Sequence, residues 1–246
     1  ATGELSFGIN AAGLAAGTYT ATVTASATGY SSAALQVNLT VENQAPVAQT
    51  IKINFQDAAT VPPTGWLKDY GRPFGPRTTT EQGSASGSAT YSYGWKKRSD
   101  GSPLDLSANG RARLSGTTYT NASEALKLQS SLMHMQANNI AGSFSGVKQE
   151  GYWEISLPNG FYNVSLSVGD YNQGSEPESH TINVEGVNAI NAFVPTGSTG
   201  AVATRIKSTA SPIRVEVKDG ALTINASETI NGVAYNGVNT KINSLL

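Results

Sequence analysis

The stretch 151–170, GYWEISLPNGFYNVSLSVGD, alternates apolar and polar residues with a period of two in both of its halves. This period indicates β-strands, because successive side chains of a strand point to opposite faces. The apolar positions form one face in each half: Trp153, Ile155 and Leu157, then Tyr162, Val164, Leu166 and Val168. Pro158-Asn159-Gly160 between the halves favours a tight turn, since Asn-Gly tolerates positive φ angles and proline ends a strand. The sequence therefore predicts a central β-hairpin here.

Similar short apolar runs, separated by Gly, Asn and Pro, continue through the rest of the chain. The strands that we predict outside the hairpin cover residues 18–25, 34–41, 51–55, 181–185, 213–217, 221–225 and 240–245. Segment 123–136 fits neither period, and we predict a short helical turn followed by a strand at 132–136. Because no amphipathic helices separate these strands, they predict an all-β fold, an antiparallel jelly-roll β-sandwich.

The polar, proline-containing run ENQAPVAQT marks a boundary between two parts of the chain. We predict a partial β module over residues 1–43, a linker over 44–50 and a β-sandwich over 51–246. The first part has too few strands to bury a core of its own. It is expected to depend on contacts beyond itself.

Composition excludes several classes of function. Charged residues make up 13% of the chain and the formal net charge is -1, so there is no basic surface of the kind that nucleic-acid binding needs. With no cysteine and two histidines, the chain has neither disulfides nor a His/Cys zinc site. No apolar run approaches the ~20 residues of a membrane-spanning helix. A surface rich in Gly, Ala, Ser, Thr and Asn suits extracellular modules, and we expect a secreted or cell-surface protein.

Aromatic residues stand next to glycines and short acidic residues at three points: Asp69-Tyr70-Gly71, Tyr93-Gly94-Trp95 and Gly169-Asp170-Tyr171. A glycine lets the backbone bend sharply and can leave the neighbouring ring uncovered, which suits stacking on the apolar face of a sugar. A short Asp on a turn can accept hydrogen bonds from paired sugar hydroxyls. The alternatives are that the aromatic residues are large core residues and that Asp170 caps its own turn.

Two segments resemble known families. The run GLAAGTYTATVTASATGYSSAALQVNLTV resembles the C-terminal half of bacterial immunoglobulin-like modules, including the BACON type. The ordered motifs of residues 50–246 resemble a bacterial malectin-like domain: INFQ, VPPTGWLKDYGRPFG, YSYGW, LMHMQ, GYWEISLPNGFYNVSLSVGD, HTINVEGV, DGALTI and NTKIN.

The malectin-like resemblance implies a jelly-roll β-sandwich that binds carbohydrate with aromatic and acidic residues on loops at one end. Carried over by position, it implies a carbohydrate-binding site formed by Asp69, Tyr70, Tyr93, Trp95, Asp170, Tyr171 and Asn239. In the resemblance to malectin itself, an acidic residue matches the position of Asn239. The sugar that malectin binds is therefore not carried over to this chain. The resemblance therefore implies a binding mode without naming the sugar.

The predicted function is non-catalytic binding of neutral sugars, with neighbouring modules of a longer chain as further partners. No nucleophile elbow, phosphate loop or metalloprotease motif occurs, and His134 and His180 are interpreted as structural. No cofactor is expected, although loop carboxylates and carbonyls of a jelly roll are compatible with a structural calcium ion. One alternative function is a structural spacer or adhesin module of a surface assembly. The other is a polysaccharide-active enzyme that uses two of the carboxylates Asp57, Asp69, Glu150, Glu154 and Asp170.

Overall fold

The computed structural model describes residues 8, 14–15, 17–41, 50–83, 89–140 and 142–246. Contacts divide the chain into two compact units, Ala1–Gln49 and Thr50–Leu246. Residues 44–49 of the expected linker lie outside the described residues. The assignment of the two units to the two families stays a prediction.

The first unit contains an antiparallel hairpin of strands β1 (Gly17–Ala25) and β2 (Ala33–Val41). Both strands were expected from the alternation of residues 18–25 and 34–41, and both are confirmed. Cross-strand pairs such as Tyr19 with Leu39 place the apolar side chains on one face. That face is poorly covered, since Leu35 is 56% exposed and Tyr19 is 36% exposed.

The second unit is built from short strands joined by loops. Its strands are β3 (Ile53–Phe55), β4 (Leu67–Asp69), β5 (Gly75–Pro76), β6 (Ser92–Lys97), β7 (Gly110–Ala112), β8 (Ser131–His134), β9 (Gly151–Ser156), β10 (Gly160–Val164), β11 (Leu166–Gly169), β12 (His180–Val184), β13 (Val187–Phe193), β14 (Ile206–Ser208), β15 (Ile213–Val217), β16 (Ala221–Asn225), β17 (Ser227–Ile230), β18 (Val233–Asn236) and β19 (Lys241–Leu245). Its short helices are α1 (Thr79–Gln82), α2 (Gly116–Thr120), α3 (Glu124–Gln129) and α4 (Val202–Arg205).

Two large sheets form the layers of a β-sandwich. The seven-stranded sheet has the order β14-β11-β19-β3-β4, with β8 beside β19 and β7 beside β8, and the six-stranded sheet has the order β13-β12-β16-β9-β6-β5. Strand pairs in both sheets are antiparallel apart from the parallel pair of β3 and β4. One core cluster joins buried residues of both sheets, among them Phe55, Met133 and Ile242 from the first and Trp153 and Ile224 from the second. The predicted all-β sandwich is confirmed.

The stretch 151–170 does not form the expected hairpin. Strand β9 pairs with β6 and β16, β10 pairs with β15, and β11 pairs with β14 and β19. The chain therefore crosses from one sheet to the other, and the apolar faces of its two halves meet across the core. Trp153, Ile155, Val164 and Leu166 are at most 3% exposed, as the alternation predicted. A period of two identifies the buried face of a strand but does not identify its neighbour in the sheet.

The remaining predicted elements are found within about two residues of their expected bounds. Strands β3, β12, β15, β16 and β19 correspond to the five predicted strands, and α3 followed by β8 corresponds to the predicted helical turn and strand. None of the helices in the described ranges is long and apolar enough to cross a membrane.

Candidate functional site

Asp69, the first expected sugar-binding residue, is a core residue at the end of β4. It is 1% exposed, and its two carboxylate oxygens accept hydrogen bonds of 2.9 Å from Trp95 Nε1, Trp153 Nε1 and the backbone N–H of Gly71. Burial raises the pKa of Asp69, against the effect of these donors and of Arg77. Both oxygens of Asp69 are therefore bonded within the core.

Tyr93 and Trp95 are also core residues, so the alternative of large core residues holds for both. Both are 0% exposed, and Phe55 packs edge-on against Trp95 at a centroid distance of 6.1 Å. The Tyr93 hydroxyl donates a 2.7 Å hydrogen bond to the carbonyl of Lys68, and burial raises its pKa. Both rings pack against other aromatic rings of the core, Trp95 against Phe55 and Tyr93 against Trp153.

Gly94 does not leave the neighbouring rings uncovered. The glycine has φ 136°, and a Cβ there would lie 2.4 Å from Arg77 Nη2 and 2.5 Å from the carbonyl of Arg72. Its missing side chain therefore makes room for the protein's own segment 72–77 against strand β6. Tyr70, which follows Asp69, is half-buried, and the Lys68 ammonium lies 5.4 Å from its ring centroid.

Asp170 lies in a second group, directly after β11, where it forms a buried ion pair. Arg113 donates from Nε and Nη2 to its two oxygens at 2.8 and 2.5 Å, and Lys241 Nζ lies 3.4 Å from Oδ2. The N–H of Asn172 also donates to Oδ1, so the alternative of a turn cap holds in addition to the ion pair. Burial opposes ionisation, but Arg113 and Lys241 outweigh it and lower the pKa of Asp170. Its oxygens are held by protein cations.

Glu178 extends this charged network. It bonds Lys241 Nζ through Oε2 and accepts a 2.9 Å hydrogen bond from Arg205 Nη2 through Oε1. His180 accepts a 3.3 Å hydrogen bond at Nδ1 from the backbone of Lys241, and its Nε2 lies 3.7 Å from Glu178. Burial, with Lys241 and Arg205 nearby, lowers the pKa of His180 to about 3. We therefore assign the neutral form to this histidine, although it stands beside a carboxylate.

Asn239 connects loops. Its side chain accepts from the N–H of Asn139 at 3.1 Å and donates to the carbonyl of Pro177 at 2.6 Å, while its own N–H donates to Asn138. Asn239 has φ 51°, a left-handed conformation that asparagine tolerates better than most residues, and it is 1% exposed. Tyr171 is half-buried, and the N–H of Gly200 donates to its carbonyl at 3.0 Å. The expected site residues thus fall into two structural groups, one around Asp69 and one around Asp170.

An open groove of about 640 Å³ lies elsewhere on the same unit, between loop 57–64 and segment 112–127. Two hydrogen bonds join its walls: Tyr119 Oη donates to the carbonyl of Val61 at 2.6 Å, and the N–H of Thr64 donates to Glu124 Oε2 at 3.1 Å. Seven of its lining residues carry hydroxyl or carboxylate groups, Asp57, Thr60, Thr64, Ser115, Tyr119, Thr120 and Glu124, and most of the others are apolar, among them Val61, Pro62, Pro63 and Leu114.

The groups of the groove are held in place by local bonds. Asp57 Oδ1 accepts a 2.7 Å hydrogen bond from the N–H of Thr60, three residues further on, which fixes the shape of the loop. Lys127 Nζ lies 3.1 Å from Glu124 Oε1 and 5.7 Å from the Tyr119 ring centroid. Partial burial, with Glu124 and Asp57 nearby, raises the pKa of Tyr119 to about 12, so the phenol stays protonated and can donate. The groove offers a positioned ring with donors and acceptors around it.

Pro62-Pro63-Thr64-Gly65 of the groove belongs to the sequence motif VPPTGWLKDYGRPFG, but Tyr119 was not predicted as a site residue, because no glycine flanks it directly. Within the described residues, no group of three or more His, Cys, Asp or Glu side chains is placed to hold a metal ion. The expectation of a calcium ion is not tested by this finding, because backbone carbonyls are also calcium ligands.

Comparison with known proteins assigns no family. No protein-family model matches the chain, and no curated protein matches it. Among solved structures, the native structure of a family 35 carbohydrate binding module from Clostridium thermocellum is similar, with 20% identity and a TM-score of 0.22. The match covers 46% of this chain and 83% of that chain. At this TM-score the likeness shows nothing about a binding site.

Proposed function

We propose that this protein is a non-catalytic carbohydrate-binding module of a secreted or cell-surface protein, and that it binds neutral sugars in the groove between loop 57–64 and segment 112–127. The observation that carries the proposal is the groove itself: an open concavity of about 640 Å³ with a tyrosine ring among hydroxyl and carboxylate groups. The groove is preferred to the expected site around Asp69, Trp95 and Asp170, because those three side chains are at most 2% exposed.

The chemistry of the groove suits sugar hydroxyls. Thr64, Ser115 and Thr120 are exposed; the hydroxyls of Thr64 and Ser115 can donate or accept a hydrogen bond, and that of Thr120, which donates to the carbonyl of Gly116, can accept one. The Tyr119 ring offers an apolar surface for the CH groups of a sugar ring, and its orientation is fixed by the bond to Val61. Each net hydrogen bond contributes only about 0.5–1.5 kcal/mol, because it replaces one with water. Binding is therefore expected in the range of about 0.1–1 mM.

The hydrogen bonds made by the two carboxylates of the groove favour sugar binding over catalysis. Glycoside hydrolysis requires two carboxyl groups that reach the glycosidic bond as acid and base or nucleophile. Both oxygens of Glu124 are bonded to protein, one to the N–H of Thr64 and one to Lys127. Asp57 is the other carboxylate of the groove, and its Oδ1 is bonded to Thr60.

Calorimetry against a panel of neutral oligosaccharides tests this proposal. Tyr119→Ala should weaken the affinity about tenfold or more, whereas Tyr119→Phe, which keeps the ring, should weaken it only a few-fold. Tyr30→Ala is the matched control, because Tyr30 is an 82% exposed tyrosine on the hairpin of the first unit. The proposal fails if no neutral oligosaccharide binds at millimolar concentration, or if Tyr119→Ala binds as well as the parent.

A structural spacer or adhesin module is the second candidate. It is favoured by the complete burial of Tyr93 and Trp95, since the rings expected to stack on sugar instead stabilise the core. Absence of binding to every sugar of the panel would support this function over the first.

A further inference from the structure

Phe161 is a large aromatic residue on the outside of the sandwich. It lies on β10 in the ribbon of β10 and β15 and is 60% exposed. In the ribbon, Phe161 pairs with Glu216 and Asn163 pairs with Arg214. Val215, which lies between Arg214 and Glu216, points to the other face and into the core. The outer face of the ribbon therefore presents one ring among amide, carboxylate and guanidinium groups.

The Phe161 ring has a fixed position. The guanidinium carbon of Arg214 lies 4.0 Å from the ring centroid, a stacked arrangement that covers one side of the ring and is favoured by the ring quadrupole. A concavity of about 510 Å³ adjoins the ring, and its wall includes Glu185, Glu216 and Asp219. It shares no lining residue with the groove of segments 57–64 and 112–127.

We propose that this face, which we call the Phe161 site, is a second sugar-binding site, in which a neutral sugar ring packs against Phe161. The inference rests on the proposed function of the module, and it adds a second contact point. The ring supplies the apolar surface for the CH face of the sugar, and Arg214, Asn163 and Glu216 supply hydrogen-bonding groups at its edge.

The surroundings of the ring favour a small neutral ligand. The acidic side chains Glu185, Glu216 and Asp219 of the concavity stand against Arg214 and Lys218, and Lys218 lies 3.1 Å from Glu216, so the face has little net charge to attract a charged polymer. The exposed apolar side chains that line the concavity are Phe161 and Val187, at 60% and 39% exposure. A stable protein interface needs roughly 800 Å² from each partner, with an apolar centre, and two side chains do not supply it.

Two sites on one module would act together on a polysaccharide. Once one site holds a sugar unit, the polysaccharide keeps its other units close to the protein. The second site then binds a sugar unit at the high effective concentration set by the polysaccharide between the two sites. The module should therefore bind long glycans more tightly than the short oligosaccharides that fill one site.

Backbone NMR titrations with neutral tetrasaccharides, such as cellotetraose, maltotetraose and xylotetraose, test the Phe161 site. We expect two separate sets of shifting resonances, one near Tyr119 and Thr64 and one near Phe161 and Arg214. Phe161→Ala should abolish the second set and leave the first, Phe161→Tyr should keep both, and Tyr119→Ala should abolish the first and leave the second.

The possible failures of the two proposals are distinct. If shifts occur only near Tyr119 and Phe161→Ala changes nothing, the Phe161 site is wrong while the proposed function stands. If shifts occur only near Phe161, the Phe161 site stands and the groove is wrong. If no tetrasaccharide causes shifts anywhere, both are overturned. Because Phe161 is exposed, an unchanged melting temperature is expected for each of its variants.

Discussion

The indole nitrogen of Trp153 donates a 2.9 Å hydrogen bond to Oδ2 of Asp69, which lies 84 positions earlier in the chain. Trp95 and the N–H of Gly71 donate to the other oxygen of the same carboxylate. These bonds tie strand β4 of the seven-stranded sheet to β6 and β9 of the six-stranded sheet. Asp69, which was predicted to bind a sugar, therefore joins the two layers of the sandwich.

Replacement of Asp69 is expected to destabilise the fold. Asp69→Ala would leave two indole N–H groups without an acceptor in the core, and the free energy of unfolding should fall by about 2–5 kcal/mol. Asp69→Asn should also destabilise, because its amide puts a donor opposite an indole N–H. Urea unfolding measures both, with the exposed Asp100→Asn as the control. A loss below about 0.5 kcal/mol for Asp69→Ala would contradict this account.

Gly94 gives a second test of the same region. Gly94→Ala would place a methyl group 2.4 Å from Arg77 Nη2 and 2.5 Å from the carbonyl of Arg72, at a φ of 136°. We expect a loss of about 1–3 kcal/mol in the free energy of unfolding, since backbone and guanidinium must both move. Gly160→Ala is the matched control, because Gly160 has a φ of 153° and no atom lies within 4 Å of its added Cβ. Equal melting temperatures for the two variants would show that segment 72–77 is not held as described.

The fold was largely predictable from the sequence, because the buried face of a strand produces a local alternation of apolar and polar residues. The alternation of Trp153 and Ile155, and of Val164 and Leu166, correctly identified core residues. Their sheet partners were not predictable, since a strand with one apolar face packs equally well beside or opposite another such strand. The expected hairpin at 151–170 failed for this reason.

The site was much less predictable, because its residues come together from distant segments. Asp170 meets Arg113 from 57 positions away, and Thr64 meets Glu124 from 60 positions away. Nothing local distinguishes an aspartate that binds a protein guanidinium from one that binds a sugar hydroxyl. Glycine beside an aromatic residue was equally ambiguous, since at Gly94 the space is filled by the chain itself.

The two buried histidines should make stability depend on pH. The pKa of His180 is lowered from its ordinary value of 6.5 to about 3, and burial, with Lys241 and Arg111 nearby, lowers the pKa of His134 as well. The unfolded chain therefore binds more protons than the folded chain below pH 6.5. The free energy of unfolding is therefore highest above pH 6.5 and falls as the pH drops toward 3, by up to about 1.4 kcal/mol per pH unit for His180, and His134 changes it in the same direction.

Urea unfolding of the parent and of His134→Gln/His180→Gln between pH 7.5 and 4.5 isolates this effect, because other groups titrate in both proteins. The parent should lose stability more steeply than the double variant as the pH falls. Parallel curves would show that the histidines titrate normally in the folded state.

Substitutions in the ion pair of Arg113 and Asp170 test whether Asp170 stabilises the fold or binds a ligand. Asp170 is 2% exposed and holds Arg113 through two hydrogen bonds, so Arg113→Ala would leave a buried carboxylate with Lys241 as its remaining cationic contact. The free energy of unfolding should fall by about 2–3 kcal/mol, a value reduced from that of a fully buried pair because Arg113 is partly exposed. The control is Arg72→Ala, which removes an exposed partner 3.6 Å from Glu81 and should cost less than about 1 kcal/mol.

Asp170→Ala should likewise lower the melting temperature, and below the transition its affinity for a neutral oligosaccharide should stay within about twofold of the parent, because the groove does not include this residue. Calorimetric titration at a temperature where the variant is folded measures the affinity, and differential scanning calorimetry measures the stability. The opposite pattern, lost binding with an unchanged melting temperature, would return Asp170 to the sugar site and would show that the groove at Tyr119 is not where the ligand binds.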